Sequence, residues 1–186
     1  VNTTGTTPFE QVVLPHLDAA YNLARWLVRD PSLAEDIVQD AVLRALQYFA
    51  SFRGETGGRA WLLQIVRNAA YAAVKARRIG AEVPLDSDDA DGMAELPDPG
   101  PGPEALLAQR QDLQQLDAAL AALPMELREC LILCELERLS YKDIARVTGV
   151  PIGTVMSRLW RARQALMKRQ AEGRLANGRL ADGRLG

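Results

Sequence analysis

Ser140-Tyr141-Lys142-Asp143-Ile144-Ala145-Arg146-Val147-Thr148-Gly149-Val150-Pro151-Ile152-Gly153-Thr154-Val155-Met156-Ser157-Arg158-Leu159-Trp160 carries the pattern of two helices joined by a tight corner. Ser140 is placed to cap the first helix, with Asp143 three positions on. Ile144, Ala145 and Val147 supply its apolar contacts. Thr148-Gly149-Val150 makes the corner, where a central glycine takes a positive φ at no steric cost. Pro151 opens the second helix, which continues through Met167. Val155, Leu159, Ala162 and Leu166 recur every three or four residues and face a core, while Thr154, Ser157, Arg158 and Arg161 fall mostly on other faces. Short hydroxyl side chains beside guanidinium groups keep that face slim enough for a major groove and offer donors to bases and phosphates. The spacing predicts a DNA-binding helix-turn-helix. An ordinary helical hairpin with a basic outer face is the competing reading.

Upstream, the run from Phe9 to Arg78 is also helical in pattern. Phe9, Val12, Val13, Leu17, Ala20, Leu23, Ala24 and Leu27 keep near-helical spacing, with Pro15 an irregularity and Asp30-Pro31 a stop. Ser32 is expected to cap the next helix with Glu35 as capping-box partner. Leu33, Ile37, Val38, Ala41, Val42, Ala45, Leu46 and Phe49 form its expected apolar stripe, opposite Glu35, Asp36, Gln39 and Asp40. Ser51 to Gly58, with three glycines, reads as a loop. Helix resumes from Ala60 to Arg78 through Trp61, Leu62, Ile65, Val66, Ala69 and Ala73. Between Gly80 and Glu104 five prolines and a run of acids erase any apolar face, which predicts a flexible linker. Helical pattern returns at 105–123, and Pro124 suits the first turn of a helix from Met125 to Leu136. No strand pattern is persuasive, so the expected fold is all-α: two small helical domains joined by an acidic flexible linker, the second containing the helix-turn-helix. The glycine-rich echo Gly173-Arg174-Leu175-Ala176, Gly178-Arg179-Leu180-Ala181, Gly183-Arg184-Leu185 argues for a frayed tail over 171–186.

The 186 residues carry 22 Lys plus Arg against 24 Asp plus Glu, a net charge of -2 that conceals segregation. Residues 53–79 hold six bases and one acid, and residues 138–169 hold eight bases and one acid. Between them, 80–104 holds eight acids and no base, and 105–137 is acidic by four charges. Two basic blocks around an acidic one fit a nucleic-acid partner better than the near-neutral total suggests. No run approaches the length of an apolar membrane span, the first thirty positions lack the layout of a secretion signal, and two cysteines make no disulfide scaffold. No membrane insertion is expected.

Catalytic and metal chemistry finds little support. His16 is the single histidine. Cys130 and Cys134 sit one turn apart, but nothing nearby completes a tetrahedral metal set, so both read as core thiols. The loop Arg53-Gly54-Glu55-Thr56-Gly57-Gly58 lacks the Lys-Ser/Thr ending of a phosphate loop. Asp86, Asp88, Asp89 and Asp91 lack the closing Glu of a calcium loop. No metal, cofactor or enzymatic activity is expected. Phe49 and Trp61 read as core, whereas Tyr48 and Phe52, beside Arg53 and Arg59, suit either core packing or stacking on unpaired bases. Trp160 also falls at core spacing.

Two strings together carry a family likeness. Ser32-Leu33-Ala34-Glu35-Asp36-Ile37-Val38-Gln39-Asp40-Ala41, Phe52-Arg53-Gly54-Glu55 and Ala60-Trp61-Leu62-Leu63-Gln64-Ile65-Val66-Arg67-Asn68 resemble the second conserved domain of extracytoplasmic-function (group 4) sigma factors of the sigma-70 family. Leu123-Pro124, Arg128-Glu129, Leu139-Ser140-Tyr141, Ile144-Ala145 and the run from Gly149 to Arg163 are similar to their fourth domain. The pair, in order across a tether, covers residues 9–169. A lone helix-turn-helix is weakly diagnostic; the pair is specific.

The resemblance implies a dissociable promoter-specificity subunit of bacterial RNA polymerase, with a region 2-like domain at 1–79, a linker at 80–104, a region 4-like domain at 105–170 and a tail at 171–186. It places core polymerase on Glu35, Asp36, Gln39 and Asp40. It places the opened non-template strand of the -10 element on Tyr48, Phe52, Arg53, Glu55, Arg59, Arg67 and Asn68. It places the -35 element on Thr154, Ser157, Arg158 and Arg161, with Arg163 at phosphate or polymerase. The expected partners are the polymerase core, promoter DNA and an anti-sigma factor, with no obligate homo-oligomer. The expected location is cytoplasmic, at the nucleoid when active or held at the inner membrane by the anti-sigma factor. One departure stands out: the family usually has an aromatic or bulky residue two places before the small residue that precedes the Trp, whereas this chain has Gly57-Gly58 ahead of Arg59-Ala60-Trp61, so a more mobile, more thinly packed loop is expected. The alternative function is a stand-alone dimeric helix-turn-helix repressor or activator, which predicts strong binding of the chain alone to a palindromic duplex.

Overall fold

The computed structural model describes residues 7–54, 57–80 and 114–182, in two helical regions. The first contains α1 (Pro8–Val13), a 3-10 turn (Leu14–His16), α2 (Leu17–Val28), α3 (Pro31–Tyr48), a second 3-10 turn (Phe49–Ser51) and α4 (Gly58–Gly80). The second contains α5, whose described part covers 114–121, then α6 (Met125–Glu135), α7 (Tyr141–Thr148) and α8 (Ile152–Asp182). Glu55, the expected linker beyond Gly80 and the end of the tail lie outside the described residues.

Local chemistry sets most of these boundaries. Thr7 and Glu10 form a reciprocal capping box on α1, and Pro15 forces the 3-10 step before α2. Arg29, in the left-handed region at φ 59°, ends α2. Asp30, not Ser32, caps α3: the Leu33 N–H donates to Asp30 Oδ1 at 3.1 Å. The reason is Pro31, which fits the first helical position without an N–H and forces the residue before it to be extended. Leu46 is also corrected. Ala34, Ile37, Ala41 and Ala45 form the buried stripe of α3, and Leu46, one residue round the helix, is 56% exposed.

Of the two glycines before Arg59, Gly57 has open space around it and Gly58 is closely packed. Gly57 has a φ of 66°, and a Cβ on Gly58 would stand 2.6 Å from Val12 Cγ1 and 2.7 Å from the Val12 carbonyl oxygen. The missing side chain of Gly58 lets α4 begin against the backbone of α1.

The helix-turn-helix follows its pattern. The Asp143 N–H donates to Ser140 Oγ at 3.1 Å, and the Ser140 hydroxyl donates to Asp143 Oδ2 at 2.6 Å. Gly149 closes α7 at φ 70°, its N–H donating to the Ala145 carbonyl. Pro151 then leads into α8, which runs through Asp182 and so passes the residues expected to fray. The Leu, Ala and Arg residues between the tail glycines are strong helix formers, and extending a helix costs far less than starting one.

Helices α2, α3 and α4 pack on one another, α6 packs on α2 and α8, and α7 packs on α4 and α8. One continuous apolar core therefore crosses both regions, from Leu23, Leu62 and Val66 to Leu133, Ile144 and Leu159. The seam between the regions is formed by α2 and α4 on one side and α6 and α7 on the other.

Candidate nucleic-acid interface

Four surfaces carry the residues singled out by sequence. On α3, Glu35, Asp36, Gln39 and Asp40 are all exposed on the side away from the alanine stripe, and Asp40 pairs with Arg44 at 3.1 Å. The next turn adds exposed Leu43 and Leu46. The face is therefore acidic at its start and apolar at its end, a protein-binding character rather than a DNA-binding one. Leu43 was not anticipated, although its place one turn after Gln39 and Asp40 was the signal.

Around the second 3-10 turn the aromatic residues divide. Phe52 lies 4.8 Å from Trp61 and 5.9 Å from Phe49, centroid to centroid, and Phe9 meets Phe49 edge-on at 5.4 Å. This cluster anchors the loop that displays Arg53. Tyr48 stands outside it, 62% exposed. Asn68 is exposed on α4 and accepts from Arg67 Nη1 at 3.3 Å.

Arg59 and Arg67 point into the seam. Arg67 Nε donates to Glu129 Oε1 at 2.5 Å, and the Tyr71 hydroxyl donates to Glu129 Oε2 at 3.0 Å. The Arg67 guanidinium also lies over the Tyr71 ring, 4.2 Å from its centroid. Arg59 forms an ion pair with Glu137, which also accepts from Asn22 Nδ2 at 3.5 Å. Glu129 is completely buried and Glu137 nearly so. Burial pushes the Glu129 carboxyl above the usual glutamate range although Arg67 opposes it, and burial together with Glu129 pushes the Tyr71 phenol up as well. Burial, reinforced by Arg59, lowers the His16 imidazole. Glu129, Glu137 and Tyr71 were not anticipated as partners of the arginines, nor Asn22 as a second donor to Glu137. The acidic balance of 105–137 opposite the basic block at 53–79 is compatible with the two glutamates but singles out neither, and it gives no sign of Tyr71 or Asn22.

On α8, Ser157 and Arg161 are exposed, Thr154 is half-buried, and Arg161 Nε donates to the Ser157 carbonyl at 3.4 Å. Arg158 is half-buried instead of displayed; its Nη1 has no hydrogen-bond partner among the described residues, and its charge acts on Glu129 and Cys130. Arg163 pairs with Glu135 at 2.7 Å. Trp160 is not in the core: it is 64% exposed and lines a groove with Tyr141, Met156 and Met167. Cys130 and Cys134 pack as free thiols, raised first by burial and then by neighbouring glutamates. Among the described residues no group of acids, cysteines and histidine is arranged to hold a metal. No described helix is long and apolar enough to cross a membrane.

Comparison with known proteins joins these surfaces. Residues 12–79 match the family described as Sigma-70 region 2, and residues 113–166 match Sigma-70, region 4. The chain is 34% identical over 160 residues to the ECF RNA polymerase sigma factor SigE of Mycolicibacterium smegmatis, across 85% of this chain and 60% of that one. It is 34% identical over 164 residues to the RNA polymerase sigma-H factor of Pseudomonas aeruginosa, across 86% and 84%. Among solved structures it is similar to the sigma factor RpoE in complex with the anti-sigma factor NepR from Bartonella quintana. That similarity has a TM-score of 0.69 and 32% identity, over 88% of this chain and 96% of that one.

Proposed function

The chain belongs to the extracytoplasmic-function sigma factors of the sigma-70 family, alternative sigma factors that direct RNA polymerase to promoters, and we propose that it acts through three separate surfaces. Glu35, Asp36, Gln39 and Asp40, continued by Leu43 and Leu46, bind core polymerase. Tyr48, Phe52, Arg53, Glu55, Arg59, Arg67 and Asn68 hold the opened -10 strand, Phe52 as the packed base of the loop and Tyr48 as its exposed stacking face. Thr154, Ser157, Arg158 and Arg161 read the -35 duplex, and Arg163 supports them at phosphate or polymerase. The observation that carries this reading is the presence of both sigma regions, in order, in one chain. An acidic face, a basic aromatic loop and a helix-turn-helix then each have a task.

The mechanism makes and breaks no covalent bond. Region 4 docks on duplex DNA while region 2 captures an unpaired strand. Extruding a base costs a few kcal/mol, which stacking and backbone contacts offset. Polymerase contact restrains the tether at 80–104 and so raises the effective concentration of each region at its promoter element. Free protein binds promoter DNA weakly, because its acidic surfaces oppose the phosphate charge. An anti-sigma factor is the partner that keeps the chain inactive, in the cytoplasm or at the inner membrane; the similar sigma factor RpoE is in complex with the anti-sigma factor NepR, which supports a partner of that class.

The test is a titration of labelled chain against core bacterial RNA polymerase, with the housekeeping sigma factor as competitor. Tight binding that the competitor displaces is expected, and Asp36→Arg weakens it while leaving the helical spectrum unchanged. No binding by folded chain overturns the proposal, and strong dimeric binding to a palindromic duplex replaces it with a stand-alone regulator.

A further inference from the structure

Two of the three guanidiniums assigned to the -10 strand, those of Arg59 and Arg67, are already occupied, and the groups that occupy them come from region 4. Glu129 takes Arg67 and Tyr71, and Glu137 takes Arg59 and Asn22. A carboxylate beside a guanidinium fills the position that a strand phosphate needs, with the same charge sign and the same forked geometry. Helix α7, the first helix of the helix-turn-helix, packs on α4, the helix that carries both arginines. Glu129 also lies in the field of Arg158, so one carboxylate engages a residue from each DNA-reading set.

We propose that region 4 is an internal inhibitor of region 2: Glu129 and Glu137 stand in for strand phosphates on Arg67 and Arg59, so the free chain is closed and cannot hold the -10 strand until the seam opens. The inference rests on reading α4 as the strand-binding helix. Three features fit a reversible clasp. The acids and their partners lie in different regions, so opening breaks no contact within either. Released Glu129 keeps Arg158, a neighbour from its own region. A buried ion pair gives back much of its attraction as desolvation, so it selects which groups meet across the seam while adding little net stability to the apolar contacts there. Polymerase that pulls the regions apart thereby uncovers the strand-binding face at the moment of use. The closed chain is spared from binding single strands elsewhere.

Glu137 is the lever for the test, because its side-chain partners among the described residues, Arg59 and Asn22, lie in region 2. Full-length wild type and Glu137→Lys are compared for overall size by small-angle scattering and for affinity to a fluorescent single DNA strand of random sequence. Glu137→Lys should expand the chain and bind the strand more tightly, roughly ten-fold for a wild type that is closed nine-tenths of the time. Adding Arg59→Glu should restore the compact size by exchanging the charges. Should Glu137→Lys lose its helical spectrum, Glu137→Gln gives the same result in smaller degree.

Unchanged size and affinity overturn the clasp. An expanded chain with unchanged affinity overturns the inhibition, and Arg67→Ala in that open background then separates two failures. If Arg67→Ala weakens strand binding there, the strand-binding reading stands and only the inhibition falls. If it has no effect, the assignment of α4 to the strand falls too.

Discussion

At the residue scale, His16 and Gly58 give the sharpest expectations. His16 is the only imidazole in the chain, and burial, with Arg59 beside it, holds its pKa below the ordinary value of 6.5. The unfolded chain therefore takes up the proton first as the pH falls. Stability is unaffected well above 6.5 and is lost progressively as the pH drops below it toward the depressed folded value. Thermal melts of wild type and His16→Gln should diverge over that window, with wild type losing ground on acidification. Parallel curves would show that His16 is solvated like a free imidazole. Gly58→Ala is expected to cost about 1–3 kcal/mol, because the new methyl meets a backbone oxygen that only moves with α1. A denaturant titration checks this, and Gly153→Ala, which meets open space, is the control. Arg161, exposed on α8, should lose about 1–3 kcal/mol of discrimination between a selected promoter and scrambled duplex on change to Ala. Equal weakening on both duplexes would make it a phosphate contact.

At the scale of elements, the sequence was most legible where chemistry is local. Ser140, Gly149 and Pro151 each have a job that no distant residue alters, and the corner between α7 and α8 forms as the pattern predicts. Ser140→Ala should therefore destabilise by about 1 kcal/mol through loss of the α7 cap, measured by chemical unfolding; an unchanged midpoint would mean that packing alone fixes the start of α7. Legibility failed where two local signals competed. Asp30 and Ser32 are both good caps, and only the constraint that Pro31 places on its predecessor chooses between them. It failed again for Leu46 and Trp160, whose spacing allows a core position but whose neighbours on the helix are the ones buried. Helical periodicity locates a stripe to within about one residue, which is the width that separates Ala45 from Leu46. The exposed face of α3 was readable because four polar residues in six positions leave no other arrangement. The partners of Arg59 and Arg67 were not, because a basic residue on a helix gives no sign of whether phosphate or carboxylate will meet it.

For the whole molecule, charge segregation has a second meaning once the regions are seen together. The basic block at 53–79 faces acids of 105–137, so the pattern that suggests DNA binding also supplies a substitute for DNA within the chain. The apolar core crosses the same seam, through contacts of α2 with α6 and of α4 with α7. Regions that share a core should unfold together: losing one exposes the buried seam of the other and removes its support. Calorimetry of the free chain should accordingly give one transition, and the Glu137→Lys chain, with its seam opened, should resolve into two. Two transitions in the unaltered chain would mean that the seam is too weak to couple the regions. A single unshifted transition in the variant would place the coupling in the apolar contacts alone, leaving the ion pairs to select which arginines are covered.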